Sequence, residues 1–263
     1  MNISPKKNLG QNFLIDENIL NKIAELGDIN NNDIVLEVGP GTGNLTQKIL
    51  EKNPKEFTVI EKDKRMVEFL KKKFEKNINI INQDMLKISY ENSLKKETII
   101  FGNLPYNIST KILSIWIKLN RLDNYIKKFI LLFQKEVADR IIAEVNSKNY
   151  SRLSIISNWK MDIKKIIDID PKSFNPIPKV KSTVLILKPK KNFYKLNNAK
   201  NLEHVTNVFF NQRRKMIKKP MRLLFKNYEE ISKELSLDLN LRPQNLSNLT
   251  YYKICSMYEK SIK

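Results

Sequence analysis

Ile34-Val35-Leu36-Glu37-Val38-Gly39-Pro40-Gly41-Thr42-Gly43-Asn44-Leu45-Thr46 is the stretch on which the reading of the chain turns. Four of its first five residues are aliphatic, as in a strand buried in a parallel sheet, and a helical pattern covers about 44–52. The three glycines lie where strand hands over to helix, the place where such sheets bind nucleotide-like ligands. The chain has 263 residues and only six glycines, so three within five positions need a backbone reason. Glycine there allows positive φ and close approach of a ligand to the main chain. A phosphate loop is excluded, because no Gly-Lys-Ser/Thr follows, and the spacing Gly-x-Gly-x-Gly misses the dinucleotide pattern. By itself the cluster is also what a tight strand-to-helix turn requires.

The neighbouring sequence continues the rhythm. Asp16 is a candidate N-cap for a helix over 16–26, with Gly27 as its stop. Strands are expected at 57–60, 78–81, 98–101 and 129–133, and helices at 63–75, 108–119 and 135–145. This alternation predicts a parallel, doubly wound α/β sheet. Two more strands, 163–169 and 183–187, flank Asp170-Pro171-Lys172-Ser173-Phe174-Asn175-Pro176-Ile177-Pro178, whose prolines forbid a helix. After Pro189 only helices follow, at about 202–211, 221–225, 229–235 and 249–260. The expected domains are therefore 1–188 and 189–263, and no internal repeat is evident.

Successive strand ends carry chemistry. Glu61 lies 18 residues past Gly43, where a carboxylate can accept from both hydroxyls of a ribose. Asp84 follows the third strand and can accept from an adenine amine. Each is also readable as a cap or turn residue, with Asp63 the better cap beside Glu61. Gly39, Gly41, Gly43, Glu61 and Asp84 together fit an adenosine without a pyrophosphate, which points to S-adenosylmethionine. The fourth strand ends in Asn103-Leu104-Pro105-Tyr106. An exocyclic adenine amine is a poor nucleophile because its lone pair is conjugated with the ring. Asn103 Oδ1 and the Leu104 carbonyl can accept its two N–H bonds and favour a pyramidal nitrogen. Pro105 fixes the turn and adds no N–H, and Tyr106 can stack on the base. No dedicated base is needed, since an ammonium product loses its proton readily, so orientation and electrostatics carry the rate. Phe174 is a candidate for the base's other face and equally readable as an ordinary core aromatic. A base held between two rings must come from a loop or be flipped out.

Composition narrows the partner. The chain carries 48 Lys+Arg against 28 Asp+Glu, a formal net charge of +20. Residues 1–110 hold 16 basic and 15 acidic side chains, while residues 111–263 hold 32 and 13. A mutational bias toward Lys would not stop at one point in the chain. The asymmetry favours a polyanion, nucleic acid before an anionic membrane, because no amphipathic anchor or lipidation signal is visible. The single cysteine, Cys255, rules out an internal disulfide, and the single histidine, His204, leaves no room for a His-based metal site or a Ser-His-Asp triad. No metal is expected. With no signal-like N-terminus and no apolar run near the ~20 residues a bilayer needs, the expectation is a soluble cytoplasmic protein.

The chain resembles the ribosomal-RNA adenine N6,N6-dimethyltransferases of the KsgA type, which modify two adjacent adenosines in the 3′-terminal hairpin loop of small-subunit rRNA. The resemblance rests on Leu9-Gly10-Gln11-Asn12-Phe13-Leu14, the stretch Glu37 to Thr46, Asn103-Leu104-Pro105-Tyr106, Gln134-Lys135-Glu136-Val137-Ala138 and Phe174-Asn175-Pro176-Ile177-Pro178-Lys179-Val180. It implies a Rossmann-like methyltransferase sheet with a smaller all-helical C-terminal domain, S-adenosylmethionine as methyl donor, and 16S rRNA in the 30S subunit or its precursor as partner. A role in small-subunit biogenesis and a monomeric state go with it. It adds Gln11, Asn12 and Leu14 to the cofactor positions and agrees on Gly39, Glu61, Asp84 and Asn103. It also implies RNA binding through a basic helix of the C-terminal domain that Phe209-Phe210-Asn211-Gln212-Arg213-Arg214-Lys215 resembles, and Pro220, further along, is expected to interrupt and kink that helix. Leu9, Met85 and Ser151 depart from the family's usual residues. The alternatives are a 23S rRNA methylase of the antibiotic-resistance type, a ribosome-assembly binding factor, and, more remotely, a DNA adenine methylase.

Overall fold

The computed structural model describes residues 5, 10–88 and 94–262, so Leu9 lies outside the described residues. Among the described residues nine strands occur in chain order: β1 (Phe13–Leu14), β2 (Ile34–Val38), β3 (Glu56–Glu61), β4 (Asn79–Asn82), β5 (Thr98–Asn103), β6 (Ile126–Gln134), β7 (Met161–Ile169), β8 (Phe174–Asn175) and β9 (Ser182–Pro189). Seven form one sheet in the order β4-β3-β2-β5-β6-β9-β7, and β1 pairs with β8 in a small antiparallel ribbon. The chain runs outward from β2 through β3 to β4, then returns to place β5 on the other side of β2. That reversal is a topological switch point, and it opens a crevice beyond the carboxyl ends of β2 and β5.

The central strands are covered on both faces. Ile99, Ile100 and Phe101 of β5 and Phe129 to Phe133 of β6 are fully buried, which is why they read as continuous apolar runs rather than alternating ones. Asp16 caps the helix Glu17–Glu25 by accepting from the N–H groups of Asn18 and Ile19. Asp63 caps the helix Lys64–Phe74 through the Arg65 N–H at 3.1 Å. The sheet departs from the all-parallel expectation at one side: β9 runs antiparallel to β6, with Ser182 opposite Gln134. The start of β9 therefore sits at the same edge as the carboxyl ends of the parallel strands.

The chain divides into two compact units, residues 1–138 with 162–189, and residues 139–161 with 190–263. A single cut at 188/189 differs from this chiefly in that residues 139–161 group with the helical unit. Their helix Arg152–Lys160 has no counterpart among the expected elements. Its buried positions include Ser154 and Ser157, so no apolar stripe announces it. Ser154 instead donates to the Arg140 carbonyl at 2.6 Å, and Arg152 reaches Asn207 Oδ1 at 2.8 Å on the helix Ala199–Phe210. Tyr252 Oη, on the helix Asn248–Ser261, donates to the Ile155 carbonyl. The helix Lys135–Ile141 is shorter than expected, because Val145 beyond it is 39% exposed and offers no apolar stripe to bury.

The basic run is not one kinked helix. The helix ends at Phe210, and turns with i→i−3 bonds follow, Arg213 N–H to the Phe210 carbonyl and Lys215 N–H to the Gln212 carbonyl. A new helix, Lys218–Leu224, begins with Pro220 in its first turn. Proline is tolerated there because first-turn N–H groups have no intrahelical acceptor anyway. Among the described residues no helix is long and apolar enough to cross a membrane, and no cluster of three or more His, Cys, Asp and Glu side chains could hold a metal ion.

Candidate active site

The crevice at the switch point is a cleft bounded by the residues after Gly10, the β2–helix turn, and the ends of β3, β4 and β5. Gln11, Asn12, Leu14, Gly39, Gly41 and Glu61 line it, as do Asp84, Asn103, Leu104, Pro105 and Tyr106. Two expected residues do not. Gly43 sits behind the wall as the left-handed cap of the helix Asn44–Leu50, φ +74°, where a Cβ would meet the Phe74 ring at 2.6 Å. Its role is packing. Phe174 is 1% exposed and pairs with Leu14 across the β1–β8 ribbon, its side chain in the apolar core and the next residue, Asn175, facing out. In this arrangement Phe174 is the core aromatic, not a wall of the cleft.

The turn leaves room for a ligand. Gly39 has φ +74°, and a Cβ there would meet nothing closer than Met85 Cε at 3.6 Å and the Asn103 carbonyl at 3.8 Å. A side chain would fill space that glycine leaves to the cleft. Glu61 is 6% exposed. Its Oε1 accepts from the Asp63 N–H at 2.8 Å and its Oε2 from the Gly41 N–H at 3.2 Å. Burial raises its pKa, and those backbone bonds oppose the rise. A main-chain bond from Lys62 also lowers it, and the acceptor capacity that remains on the carboxylate suits hydroxyl donors. Asp84 is held the other way: a bond from Lys62 at 2.9 Å keeps its carboxyl below the usual range, and the Leu86 N–H donates to its other oxygen. It is thus an ionised turn residue with its carboxylate on the lining. These carboxylates, the glycine-lined space and the apolar Met85 and Leu86 fit an adenosine-bearing methyl donor, with Glu61 for the ribose and Asp84 for the base.

Asn103 closes the other side. Its Nδ2 donates to the Asn12 carbonyl at 2.9 Å, which fixes the amide plane and leaves Oδ1 as the acceptor. Gly102 makes space for the Leu104 side chain, since a Cβ there would meet Leu104 Cδ2 at 2.9 Å. Leu104 is thus turned inward, 1% exposed. The N–H groups of Ile108 and Ser109 both donate to the Pro105 carbonyl, so the turn leads straight into the helix Ser109–Ile117. Tyr106 is half-buried, which raises its pKa, and its hydroxyl lies 2.6 Å from Ser182 Oγ.

Glu37, two residues before the first glycine of the turn, also lies on the cleft. It is 2% exposed, with Thr46 Oγ1 donating to its Oε2 at 2.6 Å. Burial pushes its pKa from 4.5 to about 7, with Glu61 adding to the rise. In the unfolded chain it ionises near 4.5, so the folded state binds the extra proton between about pH 4.5 and 7. That contribution is present below 4.5 and lost as pH rises through 7, on the order of 3 kcal/mol. Glu37→Gln is expected to gain stability over the parent protein progressively from pH 5 to 8. Denaturation midpoints across that range test it, and a constant difference refutes it.

In the helical unit, Arg214 and Lys215 are exposed and Arg213 donates to the Lys148 carbonyl. Cys255 is fully buried and its thiol is pushed up to about 12, so it is no nucleophile.

A family model described as ribosomal RNA adenine dimethylase matches residues 2–261. A Pelagibacter ubique protein named ribosomal RNA small subunit methyltransferase A is 53% identical over 260 residues, covering 98% of each chain. An Ehrlichia ruminantium protein of the same name is 40% identical, over 93% of this chain and 94% of the other. Among solved structures, a dimethyladenosine transferase from Plasmodium falciparum superposes with a TM-score of 0.78 at 28% identity, over 94% of this chain and 98% of its own. The 23S rRNA methyltransferase ErmE shares the fold, with a TM-score of 0.70 at 20% identity, over 94% of this chain and 99% of its own.

Proposed function

The chain belongs to the ribosomal RNA adenine dimethylase family, and from that premise we propose that it dimethylates the N6 amines of two adjacent adenosines in the 3′-terminal hairpin loop of 16S rRNA, as a cytoplasmic monomer acting on the 30S subunit or its precursor. It is an enzyme, an S-adenosylmethionine-dependent rRNA adenine dimethyltransferase of the small subunit. The observation that supports the adenine chemistry best is the pinned Asn103 amide beside Tyr106.

Glu61, Asp84, Gly39 and Gly41, with Gln11, Asn12 and Leu14, would hold the methyl donor. Bound there, it supplies an electrophilic methyl on a sulfonium. The protein's own groups prepare the nucleophile. Asn103 Oδ1 and the Leu104 carbonyl accept the two N–H bonds of the amine, which takes its lone pair out of conjugation. Because Asn103 Nδ2 is already held by Asn12, its acceptor is oriented before substrate arrives, which is where electrostatic catalysis gains most. Tyr106 stacks on one face of the base, a contact of ~1–3 kcal/mol. After transfer the charged nitrogen releases its proton to water without a side-chain base.

The test uses labelled S-adenosylmethionine with two substrates, unmethylated 30S particles and protein-free 23S rRNA, followed by digestion and mass identification of the nucleoside. Dimethyladenosine in the 3′-terminal fragment of 16S rRNA is the expected product. Label in 23S rRNA alone would overturn the proposed substrate, and tight 30S binding without label would make the protein an assembly factor.

The RNA contacts are assigned to Arg213, Arg214 and Lys215 on the turn after Phe210. Neutralising all three removes about three counterion-releasing contacts, so RNA affinity is expected to fall and the slope of log affinity against log salt to flatten by about 2–3. Filter binding at several salt concentrations reads both. An unchanged slope would reduce these residues to a solvated turn.

A further inference from the structure

We propose that Ser182 is a positioning residue for the methyl-transfer reaction, acting by holding the Tyr106 ring over the cleft through its hydroxyl. The inference rests on the adenine-methylation reading above and extends it to the antiparallel strand β9, which the α/β methyltransfer site would not otherwise need.

The geometry is specific. Ser182 is the first residue of β9 and lies opposite Gln134, the last residue of β6. Antiparallel pairing therefore brings the beginning of β9 to the edge where β5 ends in Asn103. Ser182 is fully buried, and its Oγ lies 2.6 Å from Tyr106 Oη. Thr183, next along the strand, points to the other face and donates to Asp168 Oδ1 at 2.7 Å, in an ion cluster with Lys135 and Lys165. Alternation along β9 thus gives one hydroxyl to sheet stability and the other to the cleft.

A buried hydroxyl is costly without a partner, and the Tyr106 phenol satisfies it. The consequence for Tyr106 is directional. The ring axis runs from Cβ through Oη, so a bond at the tip fixes χ1 and prevents the ring from swinging out of the cleft. Desolvation keeps the phenol neutral, able to both donate and accept. A stacking face held this way is ready before the base arrives, and misplacement of a reacting group by about 1 Å costs on the order of a hundredfold.

The experiment is a double-mutant cycle on the full chain with Ser182→Ala, Tyr106→Phe and the double variant, assayed for dimethyladenosine on unmethylated 30S particles. Each single variant is expected to lower kcat about tenfold, with S-adenosylmethionine affinity unchanged. The double variant should be no worse than either. Multiplicative losses would overturn the proposal, because a purely structural Ser182 would act equally on both backgrounds. A second readout needs no turnover: the Tyr106 13Cζ resonance, which reports hydrogen bonding of the phenol, should move in Ser182→Ala. An unmoved resonance overturns the proposal even if Ser182→Ala is inactive for other reasons. If the parent protein itself makes no dimethyladenosine on 30S particles, the functional reading fails instead, and the resonance still decides whether Ser182 holds Tyr106.

Discussion

Asn103→Ala is expected to lower kcat by about 10³-fold, the scale of losing an oriented electrostatic group at the reacting centre, while RNA affinity stays within about twofold. Asn103 stands at the end of β5, a strand whose other residues are all buried, so its Cα does not move when the side chain is cut back. Alanine removes the Oδ1 acceptor and also the Nδ2 donor to the Asn12 carbonyl. Asn12 is only half-buried, so water can replace the lost donor, and the fold should lose no more than about 1 kcal/mol. Single-turnover rates with saturating RNA isolate the chemical step from binding. Asn103→Asp separates the two functions of the side chain. It keeps acceptor oxygens but sets one of them against the Asn12 carbonyl, which should turn the carboxylate away and leave an intermediate rate. Turnover equal to the parent protein in Asn103→Ala would end the assignment of Asn103 to the amine.

Much of this site is legible in the sequence, and the reason is local. Ile99 to Phe101 of β5 and Phe129 to Phe133 of β6 are buried on both faces, so those side chains are selected for one property and read as unbroken apolar runs. The glycine turn and Asn103-Leu104-Pro105-Tyr106 carry their chemistry within a few consecutive residues, so spacing alone exposes them. What stayed hidden depends on partners far apart in the chain. The Asn12 carbonyl that anchors Asn103 is a backbone atom 91 residues away, and Ser182 meets Tyr106 across 76 residues. A backbone acceptor has no sequence signature, and a serine at a strand start looks like any turn residue. Glu37 escaped because its depth depends on Thr46 and on the floor of a cleft that forms only when three strand ends meet.

What the sequence left open or passed over has equally physical causes. Phe174 lies in a proline-stiffened segment near the site, yet in a two-residue strand its side chain must face either the core or solvent, and pairing with Leu14 turns it inward. The helix Arg152–Lys160 buries serines through bonds to main-chain carbonyls, so periodicity in hydrophobicity does not register it. That one helix is what makes the first unit discontinuous in sequence. A boundary drawn where the strands stop at Pro189 misses it, because a chain can leave a sheet and return without any change in composition.

Glu61→Ala is expected to weaken S-adenosylmethionine binding by about 100-fold or more, the loss of two charge-assisted hydrogen bonds at about 1.5–3 kcal/mol each. The carboxylate is placed by the protein and not by the ligand: the Gly41 and Asp63 N–H groups hold one oxygen each, so no side-chain freedom is lost when a ribose binds. Removing it also strands those two N–H donors, and the variant should be less stable by about 2 kcal/mol, so affinity must be read where it is fully folded. Titration calorimetry with S-adenosylmethionine does this, and RNA binding measured alongside should be unaffected. The pH dependence separates Glu61 from Asp84. Burial raises the Glu61 pKa, whereas Lys62 holds Asp84 low, so mild acid protonates Glu61 while Asp84 remains ionised. Protonation removes acceptor capacity, and affinity should therefore fall as pH is lowered from neutral. Glu37, also raised by burial, titrates on the same cleft, and Glu37→Gln removes its share of that dependence. A folded Glu61→Ala protein that binds S-adenosylmethionine as tightly as the parent would take the ribose away from this carboxylate, and with it the alignment of the methyl donor toward Asn103.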